Sequence, residues 1–191
     1  MVAALLSIAA APAATIDFTA LGDQTVASLD LGDVTITGSG LVVVQASGLA
    51  MTPSSAMVDE NETVTFTFDF AVGNIFLKSN GGGSSANAIF AESDITAFGA
   101  GNTPLGTVAT GFPLDTDVSI SGLFGNQLIL SFTVAPLLGP KGPEVFGNNA
   151  VSFHTLTYGD SEVPEPATAA LTLAGVAALG LWRRRVQRSR V

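Results

Sequence analysis

Carboxylates are the side chains of this sequence with the clearest capacity for chemistry. Calcium is bound in loops by carboxylate and carbonyl oxygens. The candidate ligands are the aspartates near the first strand of the body and a pair that flanks a turn: Asp17, Asp23, Asp30, Asp33, Asp115 and Asp117. Their spacing matches neither an EF-hand nor a nonapeptide calcium repeat. The sequence therefore predicts no metal ligands and no cofactor, and a structural calcium ion remains the alternative to solvated acidic loops.

Catalysis by these carboxylates is the weaker interpretation. A glycosidase needs two carboxyl groups on opposite sides of a cleft, and Asp59-Glu60 or Asp115 and Asp117 would have to supply them. Nothing in the sequence fixes the distance between them. We therefore predict that the protein is not an enzyme and keep a carboxylate-dependent exported hydrolase as an alternative.

The single histidine, His154, gives little support to a serine hydrolase. No Gly-x-Ser-x-Gly segment is present to hold a nucleophile, and Ser47-Gly48 and Ser121-Gly122 are typical of turns. His154 alternates with Phe153 and falls on the face of Ser152 and Tyr158. We expect it at the rim of a strand.

Sugar binding is a second alternative, as a secreted glycan-binding module. The chain has one Trp and one Tyr, and the alternating Phe residues are typical of a core. A glycan site would then depend on polar side chains. The candidates are Asn80, Asn87, Asn102, Asn148 and Asn149.

The distribution of charge limits the partners. Five of the seven basic residues are arginines at the C-terminal end, from Arg183 to Arg190. Between Asp17 and Glu162 fifteen acidic residues face two lysines, a net charge of −13. A surface of this sign repels phosphate backbones, so we predict no nucleic-acid partner. The absence of Cys excludes disulfides and thiolate metal sites.

The two ends of the chain look like targeting segments. Residues 2–11 form an apolar run of signal-peptide length, and Ala11-Pro12-Ala13 offers small residues for cleavage. At the other end, Pro164 and Pro166 hold the chain extended before the uncharged residues 167–182. Arg183, Arg184 and Arg185 follow as a stop-transfer basic cluster that stays on the cytoplasmic side. Sixteen residues span roughly 24 Å as a helix, which favours a temporary anchor in the inner membrane.

Pro164-Glu165-Pro166, the apolar span and the Arg cluster, in this order, resemble the PEP-CTERM sorting signal of Gram-negative bacteria. The resemblance implies recognition of Pro164, Glu165 and Pro166 by an exosortase, a membrane protease that removes the helix. It also implies export to the cell surface or the extracellular space, in organisms that make exopolysaccharide and biofilm. The resemblance implies a route and not a reaction.

Residues 15–160 are typical of an all-β domain. In 63–70, Val64, Phe66, Phe68 and Phe70 alternate with polar residues, and in 128–134 the expected inward residues are Leu128, Leu130, Phe132 and Val134. Gly-rich turns separate weaker strand candidates at 15–18, 33–37, 41–45, 72–78, 88–91, 94–100, 107–110, 118–122 and 151–158.

The sequence thus predicts three segments. Residues 1–14 are a signal peptide with a helical core, 15–160 are an ectodomain, and 161–191 are the sorting signal with its transmembrane helix. For the ectodomain we predict a two-sheet antiparallel sandwich of jelly-roll type. We expect an exported surface or matrix protein, structural or adhesive, with extracellular polysaccharide as a partner.

Overall fold

The structure is a computed structural model that describes residues 13–53, 57–59, 61–80, 90–137 and 150–159. These residues fall in one compact unit, Ala11–Asp160. The predicted sorting signal and all but the last two residues of the predicted signal peptide lie outside the described residues. Ala14, the last of these, already begins the first strand. The boundaries of the three predicted segments stay predictions.

Twelve strands are present in the described part of the chain. They are β1 (Ala14–Asp17), β2 (Gln24–Val26), β3 (Leu29–Asp30), β4 (Val34–Gly38), β5 (Val42–Gln45), β6 (Gly48–Met51), β7 (Val64–Ser79), β8 (Phe90–Gly99), β9 (Thr103–Pro113), β10 (Asp117–Ser119), β11 (Ile129–Pro136) and β12 (Phe153–Gly159). A four-residue helix α1 (Ile120–Leu123) and two 3₁₀ turns, Phe18–Ala20 and Ala100–Asn102, complete the fold.

All strand pairings are antiparallel, which confirms the all-β prediction. Hydrogen-bonded neighbours follow the order β2-β5-β6-β12-β7-β11-β8-β9, with β1 on β12, β10 on β7, and β4 between β3 and β7. The sandwich of jelly-roll type stays a prediction. Within the ranges given above, no helix has the length and apolar character that a membrane crossing requires.

Strand β7 connects the two parts of this sheet. Its first half, from Val64 to Phe68, pairs with β4 and β11. Its second half, from Phe76 to Ser79, pairs with β10 and β12. Because one continuous strand serves both sets of partners, the residues that point inward from either part contribute to one apolar cluster.

Aromatic rings form the centre of that cluster. The rings of Phe66 and Phe132 stack with centroids 4.7 Å apart, and Phe153 meets Phe66 edge-on at 6.2 Å. Phe112 and Tyr158 extend the group through Phe153 and Phe68 at 5.4 and 5.0 Å. Full burial of each Phe stabilises the fold by roughly 1.5–3 kcal/mol, so this cluster fixes which face of each strand points inward.

The inward face of β7 changes along its length. Val64, Phe66 and Phe68 are buried as predicted, but Phe70 is 46% exposed and the prediction for it is wrong. Beyond the change of partners, the odd-numbered Ile75 and Leu77 are buried instead. Between the two registers lies Asn74, with a φ of 45°. A residue in this left-handed region interrupts the regular alternation of a strand.

The predicted alternation is also partly wrong in β11. Phe132 and Val134 are buried as predicted, but Leu128 is 43% exposed and Leu130 is only half-buried, while Ile129 is fully buried. The register of β11 against β7 shifts between Ile129 and Ser131. Because of this irregularity, the inward position at the start of the strand is Ile129, one residue away from the predicted Leu128 and Leu130.

The other differences between the prediction and the structure involve short segments or strands that are buried on both faces. Residues 120–122 of a predicted strand form α1, whose first turn is capped by the Ser119 hydroxyl accepting from the Gly122 amide at 3.1 Å. Strands β2, β3 and β6 were not predicted. All four residues of β6 are buried, so no alternation marks it. Gly48, predicted as a turn residue, begins β6 with a φ of 113°, and a Cβ there would collide with the Phe153 carbonyl.

Candidate functional site

The predicted sorting residues Pro164, Glu165 and Pro166 and the basic cluster Arg183, Arg184 and Arg185 lie outside the described residues. Their roles therefore stay predictions at the level of structure. Glu60, Asn87, Asn148 and Asn149 also lie outside.

The candidate calcium ligands serve local turns. Asp17 accepts hydrogen bonds from the amide and the hydroxyl of Thr19, at 2.9 and 2.6 Å, and so caps the first 3₁₀ turn. These bonds hold the pKa of the Asp17 carboxyl below its ordinary value. Asp30 accepts from the amide of Gly32 at 3.0 Å in the same manner. Among the described side chains, no group of three or more carboxylates and histidines is placed to hold a metal ion.

Of the carboxylates considered for a catalytic pair, Asp59, Asp115 and Asp117 lie within the described residues and Glu60 does not. Asp115 forms an ion pair with Lys78 at 2.8 Å, and its side chain is 70% exposed. The hydrogen bond and the charge of Lys78 lower the pKa of Asp115. The amide of Asp59 donates to the carboxylate of Glu62 at 2.8 Å, and Glu62 is 4% exposed. Glu62 is the buried carboxylate that sequence reasoning missed, and it secures the turn before β7.

His154 is half-buried, as a rim position requires, but Ser152 and Tyr158, which were predicted on its face, are both buried. The register of β12 against β7 shifts between Phe153 and Thr155, so His154 lies at an irregularity. As a result Tyr158 points into the core, where burial raises its pKa. Ser152 is buried too. A charge on His154 would act on Asp17 and Asp115, whose pKa values it lowers slightly.

The polar candidates for glycan contact are separated. The Asn80 side chain donates to the Ser47 carbonyl at 3.0 Å and joins two loops. Asn102 is exposed in the second 3₁₀ turn with a φ of 61°. The described structure does not bring these two residues into one site.

A regular surface of hydroxyl groups lies on the outward side of the sheet. Strand register places five threonines in one row across five neighbouring strands: Thr37 on β4, Thr65 on β7, Thr133 on β11, Thr96 on β8 and Thr107 on β9. Directly paired residues of antiparallel strands point to the same side. A parallel row holds Thr35, Thr67 and Ser131. We call these eight residues the threonine face.

The geometry of the threonine face follows from the sheet. Hydroxyls of Thr65 and Thr133 lie 2.8 Å apart, and those of Thr96 and Thr107 lie 2.9 Å apart. With strands about 4.8 Å apart, the row of five spans about 19 Å. Phe98, half-buried, continues the second row because it pairs with Ser131. The face thus combines hydroxyl groups with one accessible aromatic ring.

A second outward surface has a different character. Asp17 on β1, Thr155 on β12, Lys78 on β7 and Asp117 on β10 form a row across four strands. The row beside it contains Thr15, Thr157 and Phe76, with the two hydroxyls 3.0 Å apart. We call the residues of these two rows the charged face. Apart from His154, Lys78 is the only basic residue among those that the structure describes.

The sequence indicates only part of the threonine face. The Thr-x-Thr spacing at 35–37 and 65–67 indicates that these residues share a side of their strand. Their alignment across strands depends on register, which no single strand reveals. Repeated Thr-x-Thr segments in different strands were the available signal.

Comparison with known proteins identifies the C-terminal segment. Residues 162–185 match the family model described as the PEP-CTERM protein-sorting motif. No curated protein matches the chain. The match covers the predicted recognition residues and the basic cluster and implies an exported protein that an exosortase processes. The chain carries a PEP-CTERM protein-sorting motif.

Proposed function

We propose that this exported protein is a non-enzymatic component of the cell surface or extracellular matrix that adheres to neutral polysaccharide through the threonine face. The observation that carries the proposal is the row of five threonines in register on five strands. Each hydroxyl both donates and accepts hydrogen bonds. An array of this kind matches the hydroxyl groups of a sugar chain.

The charges near the face select for a neutral ligand. Asp30 borders it on β3, and Glu92 and Asp94 lie on β8. The one basic side chain of the described strands that form it, Lys78 at the far end of β7, belongs to the charged face. An acidic polysaccharide would meet like charge there. Phe98 supplies an aromatic surface against which a sugar ring can pack.

A structural or adhesive role also agrees with the carboxylates of the body. Asp17 and Asp30 are engaged in turns, and Asp115 is paired with Lys78. Each of these three carboxylates therefore has a local structural partner. This arrangement favours adhesion over the alternative of an exported hydrolase.

For the ectodomain we retain the two-layer sandwich as a proposal. The support is that β7 serves two sets of partners and that inward side chains from both sets form one cluster. Two faces of a sandwich would then be the threonine face and the charged face.

The adhesion proposal is tested with the double variant Thr65→Val, Thr133→Val. Val keeps the size and shape of Thr but removes the hydroxyl, so the sheet is retained and the hydrogen bonds to sugar are lost. Binding of the purified full-length protein to neutral exopolysaccharide from the producing cells is measured by pull-down. We expect at least about tenfold weaker retention than for the wild type.

The matched control is Thr15→Val, Thr157→Val, which removes another pair of contacting threonine hydroxyls from the charged face. This control should bind as the wild type does. Equal binding by both double variants, or no binding by the wild type, would overturn the proposed role of the threonine face.

The export route is proposed in more detail. The precursor is held in the inner membrane by residues 167–182 and the Arg cluster, and an exosortase that recognises Pro164, Glu165 and Pro166 then removes this tail. The intact mass of the surface form should correspond to a chain that ends near Pro166. The double variant Pro164→Ala, Pro166→Ala should accumulate as an inner-membrane precursor. Recovery of a surface form that still contains Arg190 would contradict this route.

A further inference from the structure

The edges of the sheet differ in how well they are protected against further pairing. Strands β1, β2, β3 and β10 are two to four residues long. Asp17, Asp30 and Asp117 lie within three of them, and Asp23 directly precedes β2. Short length and charge are the devices by which natural sheets prevent edge-to-edge association.

Strand β9 lacks both devices. It has eleven residues, Thr103–Pro113, without a charged side chain, and it ends the path of hydrogen-bonded neighbours. In the described residues β9 pairs with β8 only. Positions 103, 104, 106, 107 and 109 are exposed. A long, uncharged and exposed edge is a template for another strand.

The direction of the free backbone groups can be assigned from β8. The Glu92 carbonyl accepts from the Leu137 amide at 2.9 Å, on the side where β11 lies. Glu92 therefore directs its peptide groups away from β9, and its partner Gly111 directs its own away from β8. The same holds for Ala109 and Thr107, two and four positions earlier. Pro113, which has no N–H to donate, fits this pattern.

The ends of the strand limit the segment that can pair. Pro113 closes one end, and a register shift beside Gly106, whose φ is 119°, closes the other. Between them the N–H and C=O groups of Thr107, Ala109 and Gly111 face outward. This segment is symmetric about Ala109.

We propose that β9 pairs antiparallel with β9 of a second copy of this chain, about a two-fold axis at Ala109. Ala109 then faces Ala109 of the copy, and Thr107 faces Gly111, which gives about six backbone hydrogen bonds. On the inner side Val108 lies opposite Thr110. Every facing pair is small and uncharged, although the body of each copy carries a charge of −13.

The apolar side chains at this edge support the choice of occupant. Leu105 and Val108 pack against the core but are only partly buried. A second copy would cover part of this surface. Pairing would also join the Thr107 ends of two threonine faces, so a dimer presents one wider surface.

Cross-linking tests the pairing directly, because the chain contains no cysteine. In a hydrogen-bonded antiparallel pair the Cα atoms lie about 5.5 Å apart, within the range for a disulfide. The full-length protein with Ala109→Cys should form a covalent dimer under mild oxidation. Thr25→Cys on the protected edge β2, where the side chain is also exposed, is the matched control and should cross-link much more slowly.

Sedimentation gives an independent measurement. Ala109→Pro removes the outward N–H and leaves the pairing with β8 intact, so it should weaken association about tenfold or more by removing two hydrogen bonds. Ala109→Ser should associate as the wild type does, and added salt should strengthen association by screening the acidic bodies. Equal cross-linking at positions 109 and 25, or unchanged association of a folded Ala109→Pro variant, would overturn the proposal. Neither measurement involves polysaccharide or export, so their outcome is independent of the proposed function.

Discussion

The two halves of β7 belong to one continuous strand but contribute to different surfaces. The first half directs Thr65 and Thr67 outward and contributes to the threonine face. The second half directs Phe76 and Lys78 outward and contributes to the charged face. The change of character comes with a change of inward register at Asn74. One residue in a left-handed conformation thus allows a single strand to connect two kinds of surface.

This comparison also shows where the stability of the domain lies. In both halves the inward residues are large and fully buried, whereas the outward residues form short contacts with their neighbours across the sheet. Burial of apolar surface is the larger contribution, so substitutions on the inward side should be far more costly than substitutions on either outward face.

The largest effect is expected for Phe66→Ala in the first half of β7. Phe66 is fully buried and stacks on Phe132, so truncation should cost about 3–5 kcal/mol of unfolding free energy. Phe76→Ala, on the outward side of the second half, is the matched control and should cost about 1 kcal/mol or less, since Phe76 is 36% exposed. Urea denaturation of both variants measures the difference. Similar midpoints would mean that the inward register of β7 is assigned wrongly.

An intermediate effect is expected where β7 changes register. The Ile75 amide donates to the buried hydroxyl of Ser121 at 2.6 Å. Ser121→Ala leaves this amide without its acceptor and should cost about 1–3 kcal/mol. Ser119→Ala, which removes only the cap of α1, should cost about 1 kcal/mol or less.

Thermal unfolding and amide exchange distinguish these two serines. Loss of the Ser121 hydroxyl should speed exchange at Ile75 in particular. If Ser119→Ala were the more destabilising change, the hydroxyl of Ser121 would not be what holds β7 at this point.

The smallest effect is expected on the charged face. The pKa of Asp115 is lowered, first by its hydrogen bond with Lys78 and then by the charge of that lysine. The folded state therefore favours the ionised carboxylate. The resulting stabilisation is present above the ordinary carboxyl pKa of 3.8 and is lost as pH falls through the lowered value.

Asp115→Asn tests this pH-dependent stabilisation. Because both partners are solvated, the difference from the wild type should be small at neutral pH, should disappear in acid, and should shrink with salt. The unfolding free energy of both proteins is measured with urea, because guanidinium ions would screen the ion pair between Asp115 and Lys78. A difference that grows as pH falls would contradict the assigned sign.

Much of the fold could be predicted from alternation alone. Val64, Phe66 and Phe68 were assigned to the core because their polar neighbours mark the other side of the strand. Phe70 and Leu128 were assigned wrongly because the register between β7 and β11 shifts between Thr67 and Val72 on one strand and between Ile129 and Ser131 on the other, and such a shift leaves no sign in the pattern. The short strand β6 was missed because burial on both sides removes the alternation itself.

The sorting motif and the threonine face were predictable from the sequence to different degrees. The sorting motif is continuous in sequence, so its residues could be identified directly, and the family match supports them. The threonine face combines residues from five strands that are joined only by register. Thr37 and Thr107 are seventy positions apart in sequence, and hydrogen bonding between strands, not composition, brings them into one row.

The pairing of β1 with β12 has a consequence for the order of events during biogenesis. Thr15 meets Thr157, which is 142 positions away, and β12 also completes the ladder of the second half of β7. Neither strand can find its partner until nearly all of the ectodomain has been synthesised. Contacts of such long range make folding slow. The exported chain should therefore complete its tertiary structure late, once its last strand has become available for pairing.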